Sequence, residues 1–276
     1  VEELVKTALD CGINFFDHAD IYGGGKSEEL FGQVLEKHPE YREKMIIQTK
    51  CAIVPGKRYD FSKEYIINAV NGSLKRLHTD HVEILLLHRP DALCDPQEVA
   101  EAFDELYVSG KVKYFGVSNH TPGQIALLQK YTKHPIIINQ LQLSIVHSVM
   151  IDSGMNMNMK EDFAIDKDGG VLDYCRLNDI TIQAWSIVQA SWAEGTFLNH
   201  PDYKKLNNVL DDLAKKYNVT PATIATAWIL RHPAHIQAIT GTTSPKHLIE
   251  TAEAANIELT RQEWYDLYLA SDKPLP

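Results

Sequence analysis

The chain has 276 residues, 44% of them hydrophobic and 23% charged, the balance of a soluble folded protein of one or two domains. Its 27 Lys and Arg against 37 Asp and Glu give a net charge of -10, which repels a nucleic-acid backbone, and no apolar run approaches the roughly 18 residues a membrane helix needs. Cys11, Cys51, Cys94 and Cys175 lie too far apart for a CxxC metal or redox pair, and no apolar leader is seen, so reduced thiols and a cytoplasmic location are expected.

Taken in order, short runs rich in Ile, Val and Phe alternate with longer amphipathic segments, the pattern of parallel βα units. The opening LVKTALDCG reads as the end of a helix. Strands are then expected at Ile13 to Asp17, Met45 to Lys50, Val82 to His88, Tyr114 to Asn119, Ile136 to Leu141, Ile180 to Ser186 and His235 to Gly241. Two stretches interrupt the rhythm. His147 to Gly170 holds four of the five methionines, side chains that adapt to irregular apolar ligands, although a mobile surface insertion explains the same letters. Val188 to His200 carries Trp192 and Phe197. A helix is expected over Asp202 to Tyr217, where Leu206, Val209, Leu210, Leu213 and Tyr217 share one face. Thr220-Pro221 and Ser244-Pro245 each read as an N-cap followed by a first-turn proline.

No GxGxxG follows any strand, so the common dinucleotide fold is disfavoured, and Gly23-Gly24-Gly25 reads as a flexible strand-to-helix loop. A (β/α)8 TIM barrel fits better. Seven strands are counted, an eighth is expected from residues preceding Val1, and 1–276 is read as a single, N-terminally incomplete barrel domain.

Barrel active sites sit at the C-terminal ends of strands. Asp17 ends INFFD, Lys50 ends MIIQTK and His88 ends VEILLLH; by counting in twos, Gln48 shares a side with Lys50, and Ile84 and Leu86 with His88. If those sides face the barrel axis, three ionisable groups converge at one mouth, with Tyr22 in the loop five residues after Asp17. Singly, each is a residue that strand ends and cores use for structure. Together they supply a proton. Reducing a carbonyl with hydride creates an alkoxide that must be protonated, and tyrosine, with an ordinary pKa of about 10, needs a neighbouring cation to serve at neutral pH. Lys50, held by Asp17, provides that cation, and a neutral His88 orients the carbonyl oxygen. No cluster of His and carboxylate residues has metal-ligand spacing, so no metal is expected.

NFFDHADIYGGG, IIQTK, LLLHRPD, KVKYFGVSNH, INQLQ and ITGTTSPKHL resemble, in order and over nearly the whole chain, the motifs of the aldo-keto reductases. That resemblance implies a (β/α)8 barrel that binds NADP(H) without a Rossmann fold and reduces aldehydes and ketones to alcohols. It also implies Asp17, Tyr22, Lys50 and His88 as the catalytic tetrad, with Tyr22 as general acid. Ser118, Asn119 and Gln140 match residues that hold the nicotinamide carboxamide, Trp185 the aromatic on which the ring stacks, and Ser186 with Ile187 and Val188 a pyrophosphate contact. Gly241, Thr242, Thr243, His247, Glu250 and Thr251 fall in the segment that grips the adenosine 2'-phosphate and adenine, at a helix N-terminus that favours an anion.

The chain departs from the family where Ile187-Val188-Gln189 replaces the frequent Pro-Leu-Gly, and where Gly241 and His247 replace basic residues of the 2'-phosphate segment. Lys246, His247 and the hydroxyls of Thr242, Thr243 and Ser244 remain to read the extra phosphate, so NADP(H) is expected with NAD(H) as the alternative. A small carbonyl compound is the expected partner, and Tyr59, Phe61 and Trp192 are candidates for an apolar pocket. Two other activities fit the barrel: a nucleotide-sensing regulatory subunit, and a Schiff-base enzyme using Lys50 as its amine. The second leaves Tyr22 and Asp17 without a task.

Overall fold

The computed structural model describes residues 1–160, 162–273 and 275, which fall into two compact units, Val1–Asn139 and Gln140–Pro276. All seven expected strands are present: β1 (Phe15–Asp17), β2 (Ile46–Cys51), β3 (Val82–Leu87), β4 (Val112–Ser118), β5 (Ile136–Gln142), β6 (Thr181–Trp185) and β7 (Gln237–Ala238). They are hydrogen-bonded in chain order, with β1–β2, β2–β3, β3–β4 and β6–β7 registered as parallel pairs. Parallel neighbours need a crossover between them. In the first unit these crossovers carry α2 (Lys26–Lys37), α3 (Lys63–Arg76) and α4 (Pro96–Val108), after an opening α1 (Glu2–Asp10).

The two-residue period of a strand decides which side chains share a side. Ile84 and Leu86 on β3 pack with Ile138 on β5 in a buried cluster, and Phe15, Ile46 and Ile137 lie against it. Burying such side chains is worth roughly 1.5–3 kcal/mol each. Gly116 on β4 fits because nothing larger would: a Cβ there would stand 2.6 Å from Leu86 Cδ2 and 2.8 Å from the Ile138 carbonyl oxygen. The next residue on this side of β3 is His88, and in the β2–β3 register Lys50 faces Leu86.

The expected caps are in place. Thr220 accepts from the Thr223 N–H ahead of a helix over Pro221–Leu230, and Ser244 accepts from the His247 N–H ahead of one over Pro245–Ala252. The helix over Lys204–Tyr217 buries Leu206 and Leu210 from the expected face, together with Ala214, and ends at Asn218 in the left-handed region.

Two features differ from the sequence reading, the last strand and two hairpins, and the methionine-rich stretch answers a question it left open. The last strand is two residues long rather than His235 to Gly241; it stands at the end of the hydrogen-bonded order, and His235 enters it at φ +50°. Part of the methionine-rich stretch is ordered as a helix over Val149–Met155, because Met150 and Ile151 find burial there, whereas Met157 is exposed. Two short antiparallel hairpins, Ile53–Val54 with Arg58–Tyr59 and Gln189–Ser191 with Gly195–Thr196, interrupt the parallel pattern.

Candidate active site

In the first unit Asp17, Tyr22, Lys50 and His88 come together. Lys50 ends the apolar part of β2, and its side chain is fully buried. A buried ammonium is tolerated only when its donors are matched. Lys50 Nζ has three: it donates to Asp17 Oδ2 at 2.6 Å, to the His18 carbonyl at 2.9 Å and to the Tyr22 hydroxyl oxygen at 3.0 Å. Burial pulls the ammonium's pKa down, but the Asp17 charge and Tyr22 outweigh it and the net shift is upward.

Asp17 is fixed from its other side. Gln48, its register partner on β2, donates from Nε2 to Asp17 Oδ1 at 2.5 Å. Both carboxylate oxygens are therefore engaged, and each bond opposes rotation of the other.

Tyr22 reaches Lys50 because the chain turns sharply after β1. Its N–H donates to the Ala19 carbonyl at 3.1 Å, and Gly23, Gly24 and Gly25 follow at φ +59°, +65° and +91°. Those angles lie in the left-handed region open to glycine. Gly25 is also the N-cap of α2, so the triple glycine is an ordered reversal into a helix rather than a loose loop. Behind this turn Glu28 of α2 accepts from Thr49 Oγ1 at 2.6 Å and from Arg76 Nε at 2.8 Å, tying α2 to β2 and α3.

His88 follows β3, its N–H bonded to the Cys51 carbonyl at 3.0 Å. Its ring stands edge-on to Tyr22, centroids 5.8 Å apart. Burial, then the Lys50 charge, pushes its pKa down to about 3, so the imidazole is neutral at ordinary pH. Its Nδ1 is buried without a hydrogen-bond partner. Tyr22 itself is 38% exposed, so a reacting group has access to the phenol while the ammonium behind it stays dry.

The other expected residues are placed as follows. Ser118 is buried at the end of β4, and Asn119 sits at φ +59° with its Nδ2 donating to Ser118 Oγ at 2.8 Å. In the second unit, Gln140 Nε2 donates to Gln183 Oε1 at 3.0 Å, and Gln183 in turn to Gln237 Oε1 at 2.8 Å. Trp185 is half-buried, and exposed Trp192 lies beside it, centroids 6.4 Å apart. Ser186 stands at φ +58° with Oγ bonded to Gln189 Oε1. The Ile187 side chain is buried, and the Val188 carbonyl accepts from the hydroxyl of Thr196 at 2.7 Å and from the Phe197 N–H at 3.2 Å.

From Gly241 to Thr251 the chain is partly exposed, with Leu248 buried. Gly241, Thr243, Lys246 and His247 are exposed; Thr242 Oγ1 accepts from the Ser244 N–H at 3.1 Å, and Thr251 Oγ1 donates to the His247 carbonyl at 2.8 Å. Glu250 lies 3.7 Å from Lys246. Of the pocket candidates, Phe61 is buried and stacked on His120, whereas Tyr59 is exposed.

All four cysteines are free thiols. Among the described residues no group of three or more His, Cys, Asp or Glu could hold a metal, and no helix is long and apolar enough to cross a membrane. A surface groove of about 840 Å³ lined by Leu35, Arg42, Lys75 and Lys111 shares no residue with the tetrad.

The sequence reading missed two partners of this site. Gln48 was on the right side of β2 to be noticed, and its amide is the clamp on Asp17. The His18 carbonyl that receives Lys50 is a main-chain atom and carries no residue-type signal.

A sequence model described as the Aldo/keto reductase family matches residues 1–268. The chain belongs to this family. Among curated relatives, "Oxidoreductase YdhF" of Escherichia coli is 34% identical over 97% of this chain and 86% of its own length. A "6-dehydroglucose reductase" of Novosphingobium aromaticivorans is 36% identical over 98% of this chain and 84% of its own. Among solved structures, a thermostable aldo-keto reductase in complex with the inhibitor epalrestat is similar with a TM-score of 0.77 at 27% identity, covering 98% of this chain and 86% of that one. An aldo-keto reductase from Klebsiella pneumoniae in complex with NADPH, 23% identical with a TM-score of 0.76 over 99% of this chain and 86% of its own, shares the fold. The parallel α/β arrangement is thus that of the aldo-keto reductase barrels.

Proposed function

We propose that this chain is an NADP(H)-dependent reductase of aldehydes or ketones, with Tyr22 as proton donor. The observation that carries the reading is the contact of Lys50 Nζ with the Tyr22 oxygen at 3.0 Å, the ammonium being held by Asp17 at 2.6 Å. An ammonium that donates to a phenol oxygen stabilises the charge left when the phenol gives its proton away.

The bound dinucleotide would supply a hydride to the carbonyl carbon. The remaining work falls to the chain. His88, neutral through burial, is suited to orient the carbonyl oxygen beside the phenol. The Tyr22 O–H bond breaks, its proton joins the oxygen that becomes the alcohol, and the phenolate oxygen is held by Lys50 until solvent returns a proton to it. Asp17 and Gln48 keep the ammonium charged and in position.

The residues that would hold the cofactor fit its chemistry. Ser118, Asn119 and Gln140 offer amide and hydroxyl groups for a carboxamide, Trp185 a half-buried ring face, and Ser186, Ile187 and Val188 main-chain groups for pyrophosphate. Thr242, Thr243, Lys246 and His247 bring hydroxyl, ammonium and imidazole to the start of a helix, a donor set for phosphate; Gly241, Glu250 and Thr251 complete this segment. The NADPH bound by the Klebsiella protein agrees with this choice, and the name of the Novosphingobium relative, a 6-dehydroglucose reductase, agrees with the reaction.

The test is oxidation of NADPH, and separately of NADH, with a panel of aldehydes and ketones including oxidised sugars. Aldehyde-dependent oxidation with preference for NADPH is expected. Tight nucleotide binding without turnover on any carbonyl would instead favour a nucleotide-sensing role.

A further inference from the structure

Behind the turn that carries Tyr22 lies a buried charge pair with no part in the proton transfer. Glu28 of α2 is fully buried, and both of its carboxylate oxygens are bonded to other elements. Arg76 of α3 donates from Nε to Oε2 at 2.8 Å, with Nη2 equally close, and Thr49 of β2 donates from Oγ1 to Oε1 at 2.6 Å. Nη2 of Arg76 also donates to Ser73 Oγ at 3.2 Å, so the guanidinium is held on two sides.

The backbone around Arg76 is cleared of side chains. A Cβ at Gly25, the last residue of the turn, would stand 3.0 Å from Arg76 Cδ and 3.2 Å from its Nε. Gly32 and Gly72 lie inside α2 and α3, where glycine weakens a helix, and packing accounts for both. A Cβ at Gly32 would come within 2.1 Å of the Arg76 carbonyl oxygen, and one at Gly72 within 3.1 Å of Nη1. Arg76 is therefore seated directly on the exit of the turn.

The other end of the pair reaches the tetrad strand. Thr49 stands between Gln48 and Lys50 and, by the two-residue period, faces the opposite side from both. A line of contacts thus runs from the strand that holds the ammonium, through Glu28 and Arg76, to Gly25. The entrance of the turn is fixed separately, by His18 and Asp20 N–H groups that donate to the Gln48 and Lys50 carbonyls at 2.8 and 3.0 Å. Tyr22 lies between these two anchorages.

We propose that the Glu28–Arg76 pair is a positioning unit of the proton-donating site: seated on Gly25 and tied to Thr49, it sets the Tyr22 hydroxyl against the Lys50 ammonium. The inference rests on the reading of Tyr22 as proton donor. Neither residue touches the reacting atoms. Without the pair the exit of the turn drifts from β2 and the 3.0 Å contact of Lys50 Nζ with the Tyr22 oxygen lengthens. A displacement of about 1 Å at a reacting group is enough to slow a reaction by about 10²-fold.

The experiment compares wild type with Thr49→Val, which deletes the hydroxyl at nearly constant shape, with Thr49→Ser, which keeps it, and with Arg76→Met. The first readout is kcat for aldehyde reduction beside Kd for NADPH, measured with Tyr22 in place and again in the Tyr22→Phe background. Thr49→Val and Arg76→Met should each lower kcat about ten-fold with Kd unchanged, and Thr49→Ser should keep the wild-type rate. In Tyr22→Phe the same substitutions should alter the residual rate by less than about two-fold, because the hydroxyl that they place is gone. The second readout is hydrogen exchange at the Tyr22 and Gly24 amides, which donate to the Ala19 and Ile21 carbonyls. Exchange there should be about ten-fold faster in Thr49→Val and Arg76→Met, and unchanged at Leu85 of β3. Should Arg76→Met not fold, Thr49→Val carries both readouts alone.

A wild-type kcat, or wild-type exchange at Tyr22, in folded Thr49→Val overturns the inference, as do equal fold losses with and without the Tyr22 hydroxyl. A wild type that reduces no carbonyl, while exchange at Tyr22 still answers to Thr49→Val, overturns the reductase reading instead and leaves the hold of the pair on the turn standing.

Discussion

The tetrad of the first unit and the Gly241–Thr251 segment of the second are both proposed to meet ligand, yet they are built in opposite ways. At the tetrad the Lys50 ammonium is fully buried, and its three bonds all go to atoms of the protein itself. At the second segment Thr243, Lys246 and His247 are exposed. The difference follows from solvation: a charge kept dry must be paired within the protein, whereas groups that greet a charged phosphate can stay hydrated until it binds. On the proposed reading, the chemistry is pre-organised and cofactor choice is left at the surface.

Breaking the buried side should cost most. Lys50→Met strands the Asp17 carboxylate without its cation, and a loss of about 3–5 kcal/mol in urea unfolding is expected together with loss of turnover. Equal stability of variant and wild type would mean that the pair is not buried as described.

Glu263 sharpens the comparison as a buried carboxylate of the second unit without a place in the chemistry. It caps the helix over Arg261–Ala270, accepting from the Thr260 N–H at 2.7 Å and from Lys216 at 2.5 Å. Burial opposes its charge, but these bonds and that of Tyr217 prevail and bring it down to about 2. A depressed carboxyl contributes stability above its unfolded pKa of about 4.3, and that contribution is lost as pH falls toward 2. Glu263→Gln should cost about 1–2 kcal/mol at pH 7, with the gap closing in acid and kcat unchanged. A gap independent of pH would refute the assignment.

On the exposed side the effects shrink. Ser244→Ala removes the cap that accepts from the His247 N–H and should cost about 1 kcal/mol in stability while raising KM for NADPH. Lys246 is mostly exposed, so Lys246→Ala should leave stability within about 0.5 kcal/mol and shift only the NADPH to NADH preference by a few-fold. A large change in kcat from either variant would erase the distinction between the two regions.

Much of this was legible in the letters. Strand alternation placed Lys50, Gln48 and His88, because a side chain's face is fixed by the two-residue period once the strand is known. The N-caps at Thr220 and Ser244 were legible for a similar reason, since a cap is a local hydrogen bond. What escaped depends on contacts distant in sequence or on main-chain atoms: the Gln48 clamp on Asp17, the His18 carbonyl under Lys50, and the ordered turn of Gly23 to Gly25, whose φ angles no composition reveals. Gln189–Ser191 was missed because its hairpin partner Gly195–Thr196 is too short to show a period.

The most direct measurement of the central claim is Tyr22→Phe, assayed for both aldehyde reduction and NADPH affinity. The account predicts a fall in kcat of about 10²–10⁴-fold with nucleotide affinity and folding unchanged, since the variant removes one hydroxyl from a partly exposed ring. A variant that reduces aldehydes at the wild-type rate would show that the proton comes from elsewhere.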